Sequence, residues 1–150
     1  MAVEENIQLM RRWFREVWNE GRVQTIHELM ADGAVAKGQS VGLADIHGPA
    51  EFVVFAESIH AAFSDMNMTI DDAFGSGDRV VVRWSGTMTH RGDGLGVPAT
   101  GKPVRLIGIT IARIENGKVV EGWDSWDQLG MLAQIGAYTL PGVVTLPQGA

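Results

Sequence analysis

The chain has 150 residues, of which 45% are hydrophobic and 20% are charged, which suits one soluble globular domain with a substantial core. Its net charge of −6 excludes a general electrostatic attraction to nucleic acid or anionic lipid, and the absence of cysteine excludes disulfides and thiolate chemistry. The first residues are acidic and polar, unlike a secretory signal, and no apolar run approaches the roughly 20 residues that span a bilayer. We therefore expect a cytoplasmic protein.

The first half of the chain has helical periodicity. Residues 3–20 predict an amphipathic helix that ends at Gly21, and residues 23–30 predict a short second helix. Residues 34–48 have weak signals that favour a short strand and a loop. A third helix should open at Gly48-Pro49, because proline is favoured at the first helical position. Its buried stripe is predicted to consist of Phe52, Phe55, Ile59 and Phe63.

The second half changes to the periodicity of strands. We expect strands over residues 66–74, 79–90, 104–115 and 118–126, and a closing helix over 128–135. The last two strands are joined by a two-residue turn, Asn116-Gly117. Two glycines inside the long strands, Gly86 and Gly108, indicate a bent sheet. The predicted fold is α+β, with a cone-shaped, curved antiparallel sheet wrapped around the N-terminal helices over residues 1–137 and a tail over residues 138–150.

The Asn116-Gly117 turn allows the faces of the last two strands to be predicted. With an unbroken ladder from the turn, one face carries Leu106, Gly108, Thr110, Ala112 and Ile114 with Val119, Glu121, Trp123, Ser125 and Asp127. The other face carries Ile107, Ile109, Ile111 and Arg113 with Val120, Gly122, Asp124 and Trp126. The first set suits the lining of a pocket, and the second suits packing against helices or another subunit. Periodicity alone also permits the reverse assignment, because it does not say which of the two faces is concave.

Asp127 is the first candidate for a catalytic acid or base, and Asp124 is the second. A carboxyl group beside Trp123 in an apolar pocket would have a raised pKa, which suits proton transfer near neutral pH. Asp127 could equally be a helix N-cap, and Asp124 a surface carboxylate. His90 ends an apolar strand face, where it could exchange a proton or simply donate a structural hydrogen bond. Lys37 could be a reactive buried amine or an ordinary surface lysine.

Aromatic and aliphatic side chains of both halves are the candidates for substrate contact. The other histidines are scattered, with none of the spacings typical of metal ligands, so no metal site is predicted. The predicted substrate-binding residues are Trp123, Trp84, Lys37, Phe55, Ile59 and Met88.

Several blocks along the chain carry a family resemblance from about residue 4 to residue 136. They include Gly48-Pro49-Ala50-Glu51-Phe52, Gly77-Asp78-Arg79-Val80-Val81-Val82-Arg83-Trp84, Pro98-Ala99-Thr100-Gly101-Lys102, Ile114-Glu115-Asn116-Gly117-Lys118-Val119-Val120-Glu121-Gly122-Trp123 and Asp127-Gln128-Leu129-Gly130. In this order and spacing, the blocks resemble the SnoaL-like polyketide cyclases, or ester cyclases. That family belongs to the nuclear-transport-factor-like superfamily, together with ketosteroid isomerase and limonene epoxide hydrolase.

The resemblance implies a cone fold, a homodimer or higher assembly, and no cofactor. It also implies ring closure of a small apolar carbonyl compound by intramolecular aldol condensation, with an aspartate near the end of the last strand as general acid and base. That role is carried to Asp127, with Asp124 as the alternative, and His90 matches a histidine frequent in the family. The epoxide hydrolase relative uses Arg-x-Asp on a central strand, whereas this chain has Arg83-Trp84-Ser85.

Three hypotheses follow for function. The first is a cofactor-independent acid/base enzyme of the cyclase type, with another isomerase or hydrolase of the superfamily as a variant. The second is a non-catalytic binding module for an apolar metabolite. It is motivated by two histidines that many relatives carry, near the position of Lys37 and at that of Gly122, and that this chain lacks. The third is a protein-interaction domain that uses the apolar sheet face.

Overall fold

A computed structural model of the chain describes residues 2–42, 44–139 and 141–142. Three helices come first: α1 (Val3–Trp13), α2 (Gln24–Leu29) and α3 (Gly48–Ala62), and α4 (Gln128–Gln134) closes the described chain. Helix α1 continues into a wider π-helical segment, Phe14–Asn19. The predicted start of α3 is confirmed: Gly48 has a φ of +73° and Pro49 follows in the first turn. The Glu51 carboxylate accepts a hydrogen bond from the His47 backbone N–H at 2.9 Å, which helps to cap the helix.

Six strands form one curved, unclosed sheet. They are β1 (Met30–Lys37), β2 (Ile46–His47), β3 (Phe63–Ser76), β4 (Arg79–His90), β5 (Pro103–Glu115) and β6 (Lys118–Trp126), arranged in the order β2-β1-β6-β5-β4-β3. All neighbouring pairs are antiparallel except β1 and β6, which are parallel. Most of the chain separates β1 from β6, so the connection is long enough for a parallel pair. The predicted α+β fold is confirmed, with a mixed rather than a purely antiparallel sheet.

The core lies between the helices and the concave face of the sheet. Aromatic side chains of α1 and its π-helical extension meet those of α3: the Trp13 and Phe52 rings pack edge to face with centroids 5.1 Å apart, and Trp18 and Phe55 pack in the same way at 6.1 Å. From the sheet, Val80, Val82, Ala112 and Ile114 are buried against this layer. The three N-terminal helices therefore cover the hollow of the sheet, as the sequence predicts.

A β-bulge in β6 changes which residues of that strand face the core. Next to the turn, Ile114 pairs with Val119 as predicted, but Arg113 pairs with Glu121, so Val120 is an extra residue. Beyond the bulge, Thr110 pairs with Asp124 and Gly108 with Trp126. The predicted unbroken ladder is wrong from this point on. Glu121, Trp123 and Ser125 belong to the outer face, and Gly122, Asp124 and Trp126 to the concave face.

The end of the chain lies mostly outside the described residues. Helix α4 ends near Gln134, and Gly136 follows with a φ of +80°. Of the predicted tail over residues 138–150, residue 140 and residues 143–150 are not among the described residues, so the predicted domain boundary stays a prediction. Within the described ranges, no helix is both long and apolar enough to cross a membrane.

Candidate functional site

A small apolar cavity opens between the helices and the concave face. The centres of water molecules can occupy about 60 Å³ of this cavity, which is room for only a few waters. The lining is dominated by aromatic residues and methionines, and its three other polar residues are Gln39, Thr110 and Asp124. The lining residues are Met10, Trp13, Phe14, Trp18, Gln39, Phe55, Ile59, Met66, Met68, Trp84, Met88, Leu106, Thr110, Asp124 and Trp126. Methionine side chains are flexible, so they can yield to a ligand larger than the empty space.

Asp124 is the one titratable residue among those that line this cavity. Its carboxylate oxygen Oδ1 accepts a hydrogen bond from the Thr110 hydroxyl. The indole N–H of Trp84 donates in turn to Thr110 Oγ1 at 3.0 Å. The three residues come from β6, β5 and β4, and their side chains form a short chain of hydrogen bonds across the concave face.

Burial among apolar side chains raises the pKa of Asp124 to about 7, against an ordinary value of 3.8. The hydrogen bond from Thr110 acts in the opposite direction, because it stabilises the charged form. No cationic side chain lines the cavity among the described residues, so no ion pair offsets the cost of burying the charge. A carboxyl group with this pKa can both accept and release a proton at neutral pH.

Gly108 makes room for the Trp84 indole. A Cβ atom at Gly108 would lie 2.3 Å from Trp84 Cζ2 and within 2.8 Å of two further atoms of the ring. The indole therefore lies directly over this glycine and reaches Thr110, the next residue on the same face of β5. The inward glycine that the sequence assigns to sheet bending thus also leaves the space that the indole occupies.

The loop after β1 borders the cavity on the side of Asp124. Its residue Gln39 lines the cavity, and the Trp126 indole N–H donates to the Gln39 carbonyl oxygen at 2.9 Å. Gln128 donates to the Ser40 carbonyl oxygen at 3.1 Å. The backbone of this loop is therefore held by β6 and α4, and Gln39, whose side chain is an amide with hydrogen-bond donors, is among the residues that line the cavity.

Five of the residues predicted from the sequence as catalytic or substrate-binding line the cavity. Asp124, Trp84 and Met88 reach it from the sheet, and Phe55 and Ile59 reach it from α3. Because Trp84 and Met88 alternate along one face of β4 and the α3 residues recur at helical spacing, their common direction follows from periodicity.

Four other predicted residues do not line it: Asp127, Trp123, Lys37 and His90. Asp127 is exposed and caps α4, where its Oδ1 accepts the Gly130 backbone N–H at 2.8 Å. Trp123 points from the outer face of β6 because of the bulge, and Lys37, its neighbour in the parallel pair, is exposed. The N-cap alternative describes the position of Asp127, and the surface alternative describes Lys37.

His90 is fully buried but does not line the cavity. Its Nδ1 accepts the Thr100 backbone N–H at 3.3 Å and lies 2.9 Å from Thr100 Oγ1, while its Nε2 is buried without a hydrogen-bond partner among the described residues. The Phe63 ring packs beside it, with centroids 5.8 Å apart. His90 therefore ties the end of β4 to the loop before β5. This is the structural role that the sequence offers as the alternative to proton exchange.

Three hydrogen-bonding residues of the site are not predicted as site residues by the sequence, and neither are several apolar lining residues. The sequence predicts the correct face for Thr110 but no role, it predicts the opposite face for Trp126, and Gln39 lies in the region of weak signals. Pairing Arg113 with Glu121, rather than with Val120, would have placed Trp126 correctly. No comparable signal existed for Gln39.

A family model described as SnoaL-like polyketide cyclase matches residues 8–135, which is most of the chain. Among curated proteins, none matches closely enough to count as a relative.

Solved structures show the same fold. A protein assigned as a SnoaL-like polyketide cyclase from Jannaschia sp. CCS1 is 24% identical with a TM-score of 0.81, over 91% of this chain and 95% of its own. IdmH from Streptomyces antibioticus, assigned as a polyketide cyclase, is 29% identical with a TM-score of 0.72, over 86% and 96%. AclR from Streptomyces galilaeus, assigned as a hydroxylase, is 26% identical with a TM-score of 0.79, over 95% and 87%.

Proposed function

We propose that this chain, which belongs to the SnoaL-like polyketide cyclase family, is a cofactor-independent enzyme that closes a ring in a small apolar carbonyl compound, with Asp124 as its general acid and base. The observation that carries the proposal is the single carboxyl group in an apolar cavity, with a pKa of about 7. An aldol ring closure needs such a group, because it takes up a proton in one step and returns it in the next.

The proposed reaction is balanced within the substrate and Asp124. The ionised Asp124 carboxylate removes a proton from the carbon next to a substrate carbonyl, and an enolate forms. The enolate carbon attacks a second carbonyl carbon of the same molecule, so that one carbon–carbon bond forms and one carbonyl becomes an alkoxide. The protonated Asp124 returns its proton to the alkoxide, which leaves the enzyme in its starting state.

Gln39 is the proposed hydrogen-bond donor to the enolate oxygen. Gln39 lines the same cavity as Asp124, and the backbone of its loop is fixed by the Trp126 indole. A fixed donor at the site where negative charge develops lowers the barrier, most of all where water is excluded. The buried His90, which the sequence offers as a candidate for proton exchange, is not among the residues that line the cavity.

The cavity favours a flat, mainly apolar substrate. Aromatic rings and methionine sulfurs form most of its wall, and they contact aromatic ligands favourably. Because the lining carries no cationic side chain among the described residues, a carboxylate or phosphate on the buried part of the substrate would be disfavoured. The non-catalytic binding module predicted as the second hypothesis would use the same surface without proton transfer.

Deuterium exchange tests the proton-transfer step without the natural substrate. Aromatic ketones that bind tightly, as judged by tryptophan fluorescence, should exchange the protons next to their carbonyl group with D₂O faster in the presence of the protein, as followed by NMR. Gln39→Ala should slow this exchange by about 100-fold, the typical effect of losing one such donor. Gln8→Ala, which removes an exposed glutamine of α1, should leave the rate unchanged.

The outcome separates the two candidate functions. Tight binding with no exchange above the rate in buffer would contradict the enzyme proposal and support a binding module. Exchange that is equally fast with Gln39→Ala would contradict the role of Gln39.

We also propose that the outer face of the sheet pairs with a second copy of the chain. Ile107 and Ile109 are exposed at its centre, with exposed fractions of 56% and 46%. Arg83 and Arg105 lie in the same surface groove as Asp71 and Asp127. A face that carries both signs of charge around an apolar centre can complement itself about a twofold axis.

Analytical ultracentrifugation tests this pairing. The wild-type protein should sediment with twice the monomer mass, and Ile109→Arg should sediment as a monomer because it buries an unpaired charge at the contact. Val54→Arg changes an exposed valine of α3 and should remain dimeric. A wild-type monomer at high concentration, or a dimeric Ile109→Arg variant, would contradict the proposal.

A further inference from the structure

Thr110 stands between Trp84 and Asp124, and only one direction of hydrogen bonding is open to it while Asp124 is ionised. An indole N–H can donate but cannot accept, so Thr110 Oγ1 must be the acceptor in its 3.0 Å contact with Trp84. A hydroxyl has one proton and two lone pairs. An ionised carboxylate can only accept, so the Thr110 proton is directed at its second contact, Asp124 Oδ1.

We propose that Thr110 is a positioning residue: held by Trp84, it occupies Oδ1 of Asp124 and leaves Oδ2 as the oxygen that takes and returns the substrate proton. In the ionised state, Thr110 donates to the charged carboxylate. In the neutral state, Oδ1 still accepts from Thr110, so the acid proton resides on Oδ2. Proton uptake and release thus occur at one atom with a fixed direction. This inference rests on the proposed function for its catalytic meaning, but its geometry is independent of turnover.

The surroundings of the three residues support this arrangement. Trp84 and Thr110 are both buried, with exposed fractions of 5% and 8%, so water does not compete freely for their hydrogen bonds. The indole is confined over Gly108, where even a methyl group would collide with the ring. Among the described residues, no other side chain donates a hydrogen bond to the Asp124 carboxyl group.

The electrostatic surroundings make the effect measurable. The elements that enclose Asp124 are α1 with its π-helical extension, α3, β1 and its loop, β3, β4 and β5, and none of their described residues that line the cavity is titratable. The hydrogen bond from Thr110 is thus the main contact that favours the charged form. Its loss should raise the pKa of Asp124 above about 7.

The test is a titration of Asp124 by carboxyl ¹³C NMR in three variants. Thr110→Val keeps the shape but removes the donor, and the midpoint should rise by about one to two pH units, the size expected for a hydrogen bond to a charged group. Thr110→Ser keeps the donor and should titrate close to the wild-type protein. Trp84→Phe leaves the Thr110 hydroxyl free to rotate and should give a smaller rise than Thr110→Val.

The rate of deuterium exchange supplies a second readout. With Thr110→Val, the pH–rate profile should move to higher pH together with the titration midpoint, while the rate on its plateau changes less. An unchanged midpoint in Thr110→Val would overturn the proposal, as would a rise of equal size in Thr110→Ser. If near-ultraviolet circular dichroism shows that Thr110→Val is unfolded, Thr110→Ala provides the same loss of the donor.

Failure of this inference differs from failure of the proposed function. The titration needs no substrate, so a raised midpoint in a protein that exchanges no ketone protons would support the positioning of Asp124 and contradict only the catalytic role. Catalysed exchange with an unchanged midpoint in Thr110→Val would support the catalytic role and contradict the positioning of Asp124 by Thr110.

Discussion

Asp124→Asn should lower the rate of proton transfer by a factor of about 100 to 10,000, the usual contribution of a general acid or base. Asparagine has nearly the same shape and can still accept the hydrogen bond from Thr110, so the cavity should remain intact. It cannot take up the substrate proton. The measurement is ketone deuterium exchange, together with ligand affinity by tryptophan fluorescence, which should change little.

Asp127→Asn is the matched control, because it makes the same chemical change three residues away. The Asp127 carboxylate is exposed and caps α4, and asparagine is an equally good N-cap. Rate and stability should therefore both stay close to those of the wild-type protein. A large loss of rate in Asp127→Asn, with Asp124→Asn near normal, would return the catalytic role to Asp127, the first candidate from the sequence.

The second large effect is a loss of stability as the pH rises. The pKa of Asp124 is about 7 in the folded protein and near its ordinary value of 3.8 in the unfolded chain, so the folded state binds the proton more tightly. Below pH 4 both states are protonated, and between pH 4 and 7 only the folded state is. The free energy of unfolding should therefore fall through this window, by up to about 4 kcal/mol, and level off above it.

Urea unfolding of the wild-type protein and of Asp124→Asn, between pH 4 and 8.5, measures this effect. The difference in the free energy of unfolding between the two proteins isolates Asp124, because all other titrating groups are common to both. One of these is Glu16, whose pKa is lowered to about 2 mainly by hydrogen bonds from Arg12 and Thr25. The wild-type protein should lose stability relative to Asp124→Asn as the pH rises. A constant difference would show that Asp124 is solvated in the folded state.

The architecture was predictable because it follows from local patterns. Gly48-Pro49 marks the start of α3, and Asn116-Gly117 marks the turn between β5 and β6, so the order of the main elements could be derived. Burial alternates regularly along β4, where Val80, Val82 and Trp84 all face the core. Strand β1 was the least predictable part, because its parallel partner lies far away in the sequence.

The face of β6 that borders the cavity was not predictable from alternation, because one extra residue reverses it. With Val120 as the bulge, the Arg113 side chain donates to Glu121 at 2.9 Å on the outer face, and the acid of the strand that enters the cavity is Asp124. With an unbroken ladder, Glu121 would lie among apolar residues beside Ala112. The favourable ion pair therefore helps to select the register, and cross-strand charge pairing is the pattern that could have revealed it.

The remaining site residues depend on tertiary contacts that a single sequence does not display. Gln39 reaches the cavity because its loop is held by side chains of β6 and α4, almost 90 residues further along the chain. His90 stands on the core face of β4, as predicted, but its partner Thr100 belongs to a loop that closes over the end of the strand. Spacing could identify the faces of these strands, but not which buried polar groups meet.

The most direct test of this account is the titration of the Asp124 carboxyl carbon in the wild-type protein by ¹³C NMR, with Asp124→Asn used to assign the signal. A buried acid that serves proton transfer should titrate with a midpoint near pH 7. A midpoint close to pH 4 would mean that water reaches this side chain freely, and the proposed acid/base role would be contradicted.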